Sequence, residues 1–271
     1  MQHLFSVWQD FSKRLKVARR VLLLCDYDGT LTPIVDRPEL ADLSEKTRQL
    51  LQTLTRQKNF TVGIISGRAL ADLRQKVNVS NIIYSGNHGL EIEGPGIGLV
   101  NPLAAEMMPV FRLINQVLKK ALAPIRGVLV EDKGLTISVH YRLVEESKSE
   151  EVKNIFERVI DTARSLGKVR ITSGKKVYEI RPGVDWDKGA AIEFLIGRFG
   201  KTKVKKELLP IFLGDDETDD DGFRVIEKHG GVSIFVGEKP ARSAARYYLK
   251  SPAEVEQFLE QMIDSVSDRQ A

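Results

Sequence analysis

The sequence holds a single cysteine, Cys25, among 271 residues. No internal disulfide can form, and a reducing, cytoplasmic setting suits the chain. It also lacks any apolar run near the ~20 residues that span a bilayer. The short run at 21–25 falls below the ~7–15 residues of a signal-peptide core, and acids follow it at once, so no membrane partner is expected. Tryptophan and tyrosine are scarce, at two and six residues, and the basic residues are dispersed. That argues against nucleic acid as a partner. The densest basic run, KTKVKKE at 201–207, reads as a solvated loop or helix start. Charge of one sign is nearly absent in the sum: 41 Lys and Arg against 37 Asp and Glu leave +4, a mild preference for an anionic substrate.

Three chemistries fail on spacing. A cysteine phosphatase needs Arg where Leu31 stands, five residues beyond Cys25. The P-loop suggested by GKT at 200–202 needs glycine where Leu195 stands. An EF-hand aligned on Gly222 would place Lys228 where a bidentate Glu belongs.

What is present begins with apolar runs that end in polar turns: RVLLLCDYDGT, FTVGIISGR and LLPIFLGDDETDDDGF. Helical patterns lie between them, as over residues 40–58. Continuous apolar strands alternating with amphipathic helices predict an α/β fold, a Rossmann-like, doubly wound parallel-sheet core. Ligands bind at the carboxyl ends of such strands, so the three turns should converge. The middle differs. A helix over 104–122, with Met107, Phe111, Ile114, Val117 and Leu118 on one face, precedes a hairpin at 127–142. A helix at about 146–166 and a second hairpin at 168–182 follow. This is an inserted α+β cap domain of two αββ units. The resulting boundaries are an N-terminal amphipathic helix within 1–20, a core of 21–101 and 183–271, and a cap of 102–182. Pro102 and the RPGVD stretch (181–185) read as hinges.

Carboxylates at strand ends repel unless a cation or proton relieves them, and Mg²⁺ takes oxygen ligands of this kind. A carboxylate beside Mg²⁺ can attack phosphorus while a second, two residues on, protonates the leaving oxygen. Asp-x-Asp-x-Thr at 26–30, Ser66 after an apolar strand, Lys188 and GDDETD at 214–219 resemble the four motifs of the haloacid dehalogenase superfamily of phosphotransferases. DYDGTLTPI, SGR, GNHGLE, RPGVDWDKGAA and GDDETDDDGF resemble more closely the trehalose-6-phosphate phosphatase family, from about residue 20 to 250.

The resemblance implies a nucleophile at Asp26 and a general acid, later base, at Asp28. It implies Mg²⁺ held by Asp26, the backbone carbonyl of Asp28 and Asp215, with Asp216 reaching it through water. Ser66 and Lys188 would contact the phosphoryl group and Asp219 would orient Lys188. Gly29 serves the turn by its backbone freedom, and Thr30 by hydrogen bonding it shut. Arg68 has two readings, a phosphate contact or a surface salt bridge. Glu131, Lys133, Glu179 and Arg181 offer hydrogen bonds to sugar hydroxyls, or are exposed hairpin charges. Asn87 and His88 either line the site or serve their Gly-flanked turn. Ser138, His140 and Arg142 share one face of the hairpin. A cap closing over the core would exclude water and make sugar contacts a condition of turnover. The implied activity is hydrolysis of trehalose 6-phosphate. The rivals are another sugar phosphate, such as glucosylglycerol phosphate or sucrose phosphate, and a non-enzymatic sensing or scaffolding subunit beside a trehalose-6-phosphate synthase. Pairing with such a synthase is also a partner expectation for the enzyme.

Overall fold

The structure is a computed structural model and describes residues 1–35, 37–174, 176–200, 207–238 and 242–267. All but the last residue of the basic run at 201–207 lies outside the described residues. The chain opens with β1 (Gln2–His3), α1 (Trp8–Val17), β2 (Arg20–Cys25), α2 (Glu45–Thr55), β3 (Phe60–Ile65) and α3 (Leu70–Val77). Short strands β4 (Ile83–Gly86), β5 (Glu91–Gly94) and β6 (Ile97–Val100) follow. Next come α4 (Pro102–Glu106), α5 (Met108–Leu122), β7 (Leu129–Asp132), β8 (Ile137–His140), α6 (Ser149–Ser165), β9 (Val169–Gly174) and β10 (Val177–Pro182). The remainder is α7 (Lys188–Phe199), β11 (Leu208–Gly214), α8 (Asp220–Lys228), β12 (Val232–Val236), β13 (Tyr247–Leu249) and α9 (Pro252–Ser267).

Contacts divide these elements into two compact units, Met1–Leu99 with Trp186–Ala271, and Val100–Asp185. The first unit is built on one sheet in the order β1-β13-β12-β11-β2-β3-β4-β5-β6. Its pairings from β1 through β4 are parallel, and β5 runs antiparallel to β4. Alternation along β2 shows why the run is continuously apolar: Val21, Leu23 and Cys25 enter one buried cluster, Leu22 and Leu24 the other. Both faces are covered from Val21 to Cys25, so only the first residue of β2, the part-exposed Arg20, carries a polar side chain.

The N-terminal segment set apart at 1–20 joins this unit. Residues Leu4–Val7 form a 3-10 turn before α1, and Leu4, Phe11 and Leu15 are buried in the core cluster. Phe11 packs on Phe258 of α9, ring centroids 5.6 Å apart. Helix α2 is shorter than the apolar pattern over 40–58. The Ser44 hydroxyl accepts the Thr47 N–H at 3.0 Å and caps the helix there.

The second unit carries a sheet in the order β7-β8-β10-β9, antiparallel throughout. Helices α5 and α6 pack on one face through Phe111, Ile114, Leu118, Val152, Phe156 and Ile160. Val117, expected on that stripe, is exposed. From Phe111 the buried positions run 114, 115, 118 and 122, the helical repeat that leaves 117 outside. Asn115 occupies the stripe instead, and its Nδ2 donates to Asp132 Oδ2 on β7 at 2.6 Å.

Candidate active site

Strand register builds the pocket. Neighbours β11, β2 and β3 all point their carboxyl ends the same way, with Leu213 opposite Cys25 and Cys25 opposite Ile64. The next residues are therefore brought level, and the Asp26 N–H donates to the Leu213 carbonyl at 2.8 Å. Beyond β2 the chain turns at Gly29, whose φ of +82° is a left-handed value. A Cβ on Gly29 would strike the Asp215 carboxylate, so this glycine is what lets the first and last loops meet. Thr32, not Thr30, ties the turn shut: its hydroxyl donates to the Tyr27 carbonyl at 3.2 Å. The Thr30 hydroxyl is buried without a hydrogen-bond partner among the described residues.

Lys188 reaches the pocket from the first turn of α7, which Asp187 caps by accepting the Ala190 N–H at 2.8 Å. Its ammonium lies 2.7 Å from Asp26 Oδ1 and 2.7 Å from Asp219 Oδ1. All three side chains are buried. The other Asp219 oxygen accepts the N–H groups of Asp215 and Asp216 at 3.0 and 3.2 Å. Gly214 admits this approach, because a Cβ there would collide with Asp219. Burial pushes the Asp26 and Asp219 carboxyls up against the pull of Lys188. Burial also favours the neutral amine of Lys188, but Asp219 and Asp26 outweigh it and hold the lysine cationic.

Asp26, Asp215 and Asp219 bring ligand atoms within 4.8 Å of one another. Burial, then Asp216 and Asp219, push the Asp215 carboxyl up to about 8. Hard oxygen donors, mutual repulsion and a single lysine, two charges short of balancing the three acids, fit a divalent cation. This trio differs from the expected metal set. It adds Asp219 to the expected carboxylates Asp26 and Asp215, and Asp216, expected only through water, uses Oδ1 to accept from the Thr218 N–H and hydroxyl at 2.8 and 2.6 Å. Burial opposes ionisation of Asp216, but Lys188 and Thr218 outweigh it and hold its carboxyl below the ordinary value.

Ser66 is buried after β3 and accepts the Arg68 N–H on its hydroxyl at 3.2 Å. Arg68 is neither at the surface nor aimed at the carboxylate trio. Its guanidinium grips both oxygens of Asp28, each at 2.7 Å. The Asp28 side chain accordingly stands outside the trio. Asp72, which sequence reasoning passed over, holds the same guanidinium at 2.8 Å; its place four residues after Arg68 was the available signal. Asn87 and His88 are buried in left-handed conformations, φ +49° and +56°. Their N–H groups donate to the Arg68 and Ser66 carbonyls at 2.8 and 2.9 Å. The His88 ring lies against Gly67, and the Asn87 side chain bonds Glu91. Their visible work is to lace the GNHG turn to the SGR turn. Trp186, another residue unremarked in the sequence, donates from Nε1 to the Gly89 carbonyl at 2.8 Å.

In the second unit, Glu131, Ser138, Glu179 and Thr172 form one row across the sheet, on the face away from α5 and α6. Glu179 is buried and accepts from Lys133 at 3.3 Å and from Arg181 Nε at 2.8 Å. Glu131 meets His140 at 2.9 Å. The four charged residues read from the two hairpins thus share one polar face, with His140 and Thr172 beside them. Among the described residues no helix is long and apolar enough to cross a membrane.

Known proteins match this arrangement. The family model described as trehalose-phosphatase covers residues 24–253. A probable trehalose-phosphate phosphatase 3 of Oryza sativa subsp. japonica is 36% identical over 261 residues, 90% of this chain and 70% of the relative. The C-terminal domain of trehalose-6-phosphate phosphatase from C. albicans superposes with a TM-score of 0.80 at 26% identity, covering 94% of this chain and 96% of that one. A haloacid dehalogenase-like hydrolase from Bacteroides thetaiotaomicron shares the fold, with a TM-score of 0.61 at 17% identity over 90% of this chain and 99% of its own. With the match running through both units, the chain belongs to the trehalose-phosphatase family.

Proposed function

We propose that this chain is a Mg²⁺-dependent phosphatase that hydrolyses trehalose 6-phosphate to trehalose and inorganic phosphate through a phospho-Asp26 intermediate. The observation that carries the reading is the buried bridge of Lys188 between Asp26 and Asp219, beside Asp215. Asp26, Asp215 and Asp219 would hold the metal, with the Asp28 carbonyl and, through water, Asp216. When bound, Mg²⁺ offsets charge on the transferring phosphoryl group.

Asp26 attacks phosphorus, the bond from phosphorus to the sugar 6-oxygen breaks, and that oxygen takes a proton from Asp28. Asp28 then removes a proton from water as the water oxygen attacks phosphorus, which frees Asp26 and phosphate. Lys188 and Ser66 bind phosphoryl oxygens, while Asp219 keeps the lysine aimed. On the cap, Glu131, Lys133, Glu179 and Arg181 bind sugar hydroxyls, since paired acids and bases offer acceptors and donors side by side. The balanced charge of that face supports a neutral polyol rather than a second anion. The single, fully buried cysteine supports a cytosolic setting, where pairing with a trehalose-6-phosphate synthase would supply the substrate.

Phosphate release from trehalose 6-phosphate, sucrose phosphate and glucosylglycerol phosphate, with and without Mg²⁺, tests this. Release fastest from the first, dependent on Mg²⁺ and lost in Asp26→Asn, is the expected result. A faster rate on either other sugar makes the chain that sugar's phosphatase, and activity retained by Asp26→Asn would falsify the phospho-Asp26 route. The scaffold reading would need loss of an acid or of Lys188, and all are present.

A further inference from the structure

The geometry points to Arg68 as the positioning residue for Asp28, with Asp72 holding Arg68 in turn; the inference rests on the acid–base role proposed for Asp28. The side chain of Arg68 is 8% exposed as part of its residue, and nearly every face of its guanidinium is engaged. Nε and Nη2 donate to the two Asp28 oxygens at 2.7 Å each. Nη1 donates to Asp72 Oδ2 at 2.8 Å, and Nη2 also to the Pro38 carbonyl at 2.8 Å. The guanidinium carbon stands 5.2 Å from the centre of the Tyr27 ring. The backbone is pinned as well, its N–H on the Ser66 hydroxyl and its carbonyl on the Asn87 N–H.

A bidentate grip fixes the plane of a carboxylate as well as its distance, which a single-point cation cannot do. Asp28 needs that constraint. Its side chain is largely open, 42% exposed against 9% for Arg68, and it leaves a turn rather than a strand. The guanidinium pairs with the ionised carboxylate, the form that takes a proton from water, and a general base loses its effect when its oxygen wanders by even an ångström from that water. Arg68 therefore contributes to the proton transfer without touching the phosphoryl group. This reading is distinct from a phosphate contact, which would act on substrate affinity.

Arg68→Ala, Arg68→Lys and Asp72→Asn test it on trehalose 6-phosphate and on p-nitrophenyl phosphate, whose leaving group needs little protonation. In Arg68→Ala, kcat on trehalose 6-phosphate should fall by about 10- to 100-fold, within the contribution of a general acid, with KM changing less than about 3-fold. The first-turnover burst of nitrophenolate should keep its rate, because Asp26 attack is untouched, while later turnovers slow. Arg68→Lys should fall between wild type and Arg68→Ala, and Asp72→Asn should repeat the pattern at a few-fold. Added to Asp28→Asn, the Arg68 change should cost little more. A raised KM with unchanged kcat, a lost burst in the soluble Asp72→Asn protein, or full additivity with Asp28→Asn would overturn the inference. If Asp28→Asn itself keeps wild-type turnover, the acid–base reading of Asp28 fails instead.

Discussion

The core pocket and the cap sheet both gather charged side chains, in opposite proportions. Around Lys188 stand Asp26, Asp215, Asp216 and Asp219, four acids to one base, and all but Asp215 and Asp216 are fully buried. On the cap, Glu131 and Glu179 are set against Lys133, Arg181 and His140. An unbalanced buried cluster is costly to fold and wants a cation; a balanced one is content without any. The first suits group transfer to a carboxylate, the second hydrogen bonding to a neutral sugar. Perturbed acids mark the core accordingly, whereas the cap's charges satisfy each other.

Breaking the Lys188 bridge between Asp26 and Asp219 should give the largest effect. Lys188→Met leaves Asp26 and Asp219 facing each other in a buried site, a loss of about 3–5 kcal/mol of stability by analogy with other buried pairs. Turnover should become undetectable. Adding Asp219→Asn should restore much of the melting temperature, since one of the two stranded charges is gone, but none of the activity. Thermal unfolding and phosphate release on both variants check this. Recovery of activity along with stability would mean the lysine only holds the fold.

The parts of this comparison that sequence disclosed are the contiguous ones. Asp26, Ser66 and Asp215 follow apolar strands whose two-faced burial forces a continuous hydrophobic run, and the run's end is visible in the letters. Glu179 and Arg181 sit two residues apart on β10, so period two alone puts them on one face, and Lys133 stands two residues after Glu131, just past the end of β7. What stayed hidden depends on approach between distant atoms. Only the missing Cβ of Gly214 lets Asp219 come up beside Asp26 and Asp215, and only the folded turn shows that Thr32 rather than Thr30 closes it. Strands β5 and β6 went unread because four residues punctuated by glycine carry too little alternation. Arg68 looked exposed because Asp28 and Pro38 reach it from other segments.

Asp215 sharpens the comparison through pH. Its carboxyl, pushed up to about 8 by burial and then by Asp216 and Asp219, binds its proton more tightly folded than unfolded, where about 3.9 is usual. The folded state thus gains from that proton at low pH, and the gain is lost as pH rises from about 4 through about 8. Metal-free protein should lose stability over that window, and Asp215→Asn should flatten the slope while abolishing Mg²⁺-dependent turnover. At one fixed concentration Mg²⁺ should stabilise the unsubstituted chain more at pH 8 than at pH 5, reaching about 2.7 kcal/mol where that concentration is 100 times its dissociation constant. Melting curves across pH with and without Mg²⁺ read this directly. Equal stabilisation at both pH values would count against the trio as the metal site.

The smallest change tests the cap. Glu179 accepts from Lys133 and Arg181 together, so Glu179→Gln keeps the shape but weakens both bonds and leaves two cations less well neutralised. A charge-assisted hydrogen bond contributes about 1.5–3 kcal/mol, which corresponds to roughly a 10- to 150-fold loss in kcat/KM for trehalose 6-phosphate if Glu179 also accepts from the sugar. With p-nitrophenyl phosphate, which has no hydroxyls to offer, the rate should stay within about 2-fold, because the core's acids and Lys188 are untouched. The ratio of the two rates separates a sugar contact from a structural ion pair. Loosening of the sheet alone would lower stability without changing that ratio, and a core residue such as Lys188 would lower both rates together. A fall confined to the sugar substrate therefore assigns recognition to the balanced cluster and chemistry to the unbalanced one.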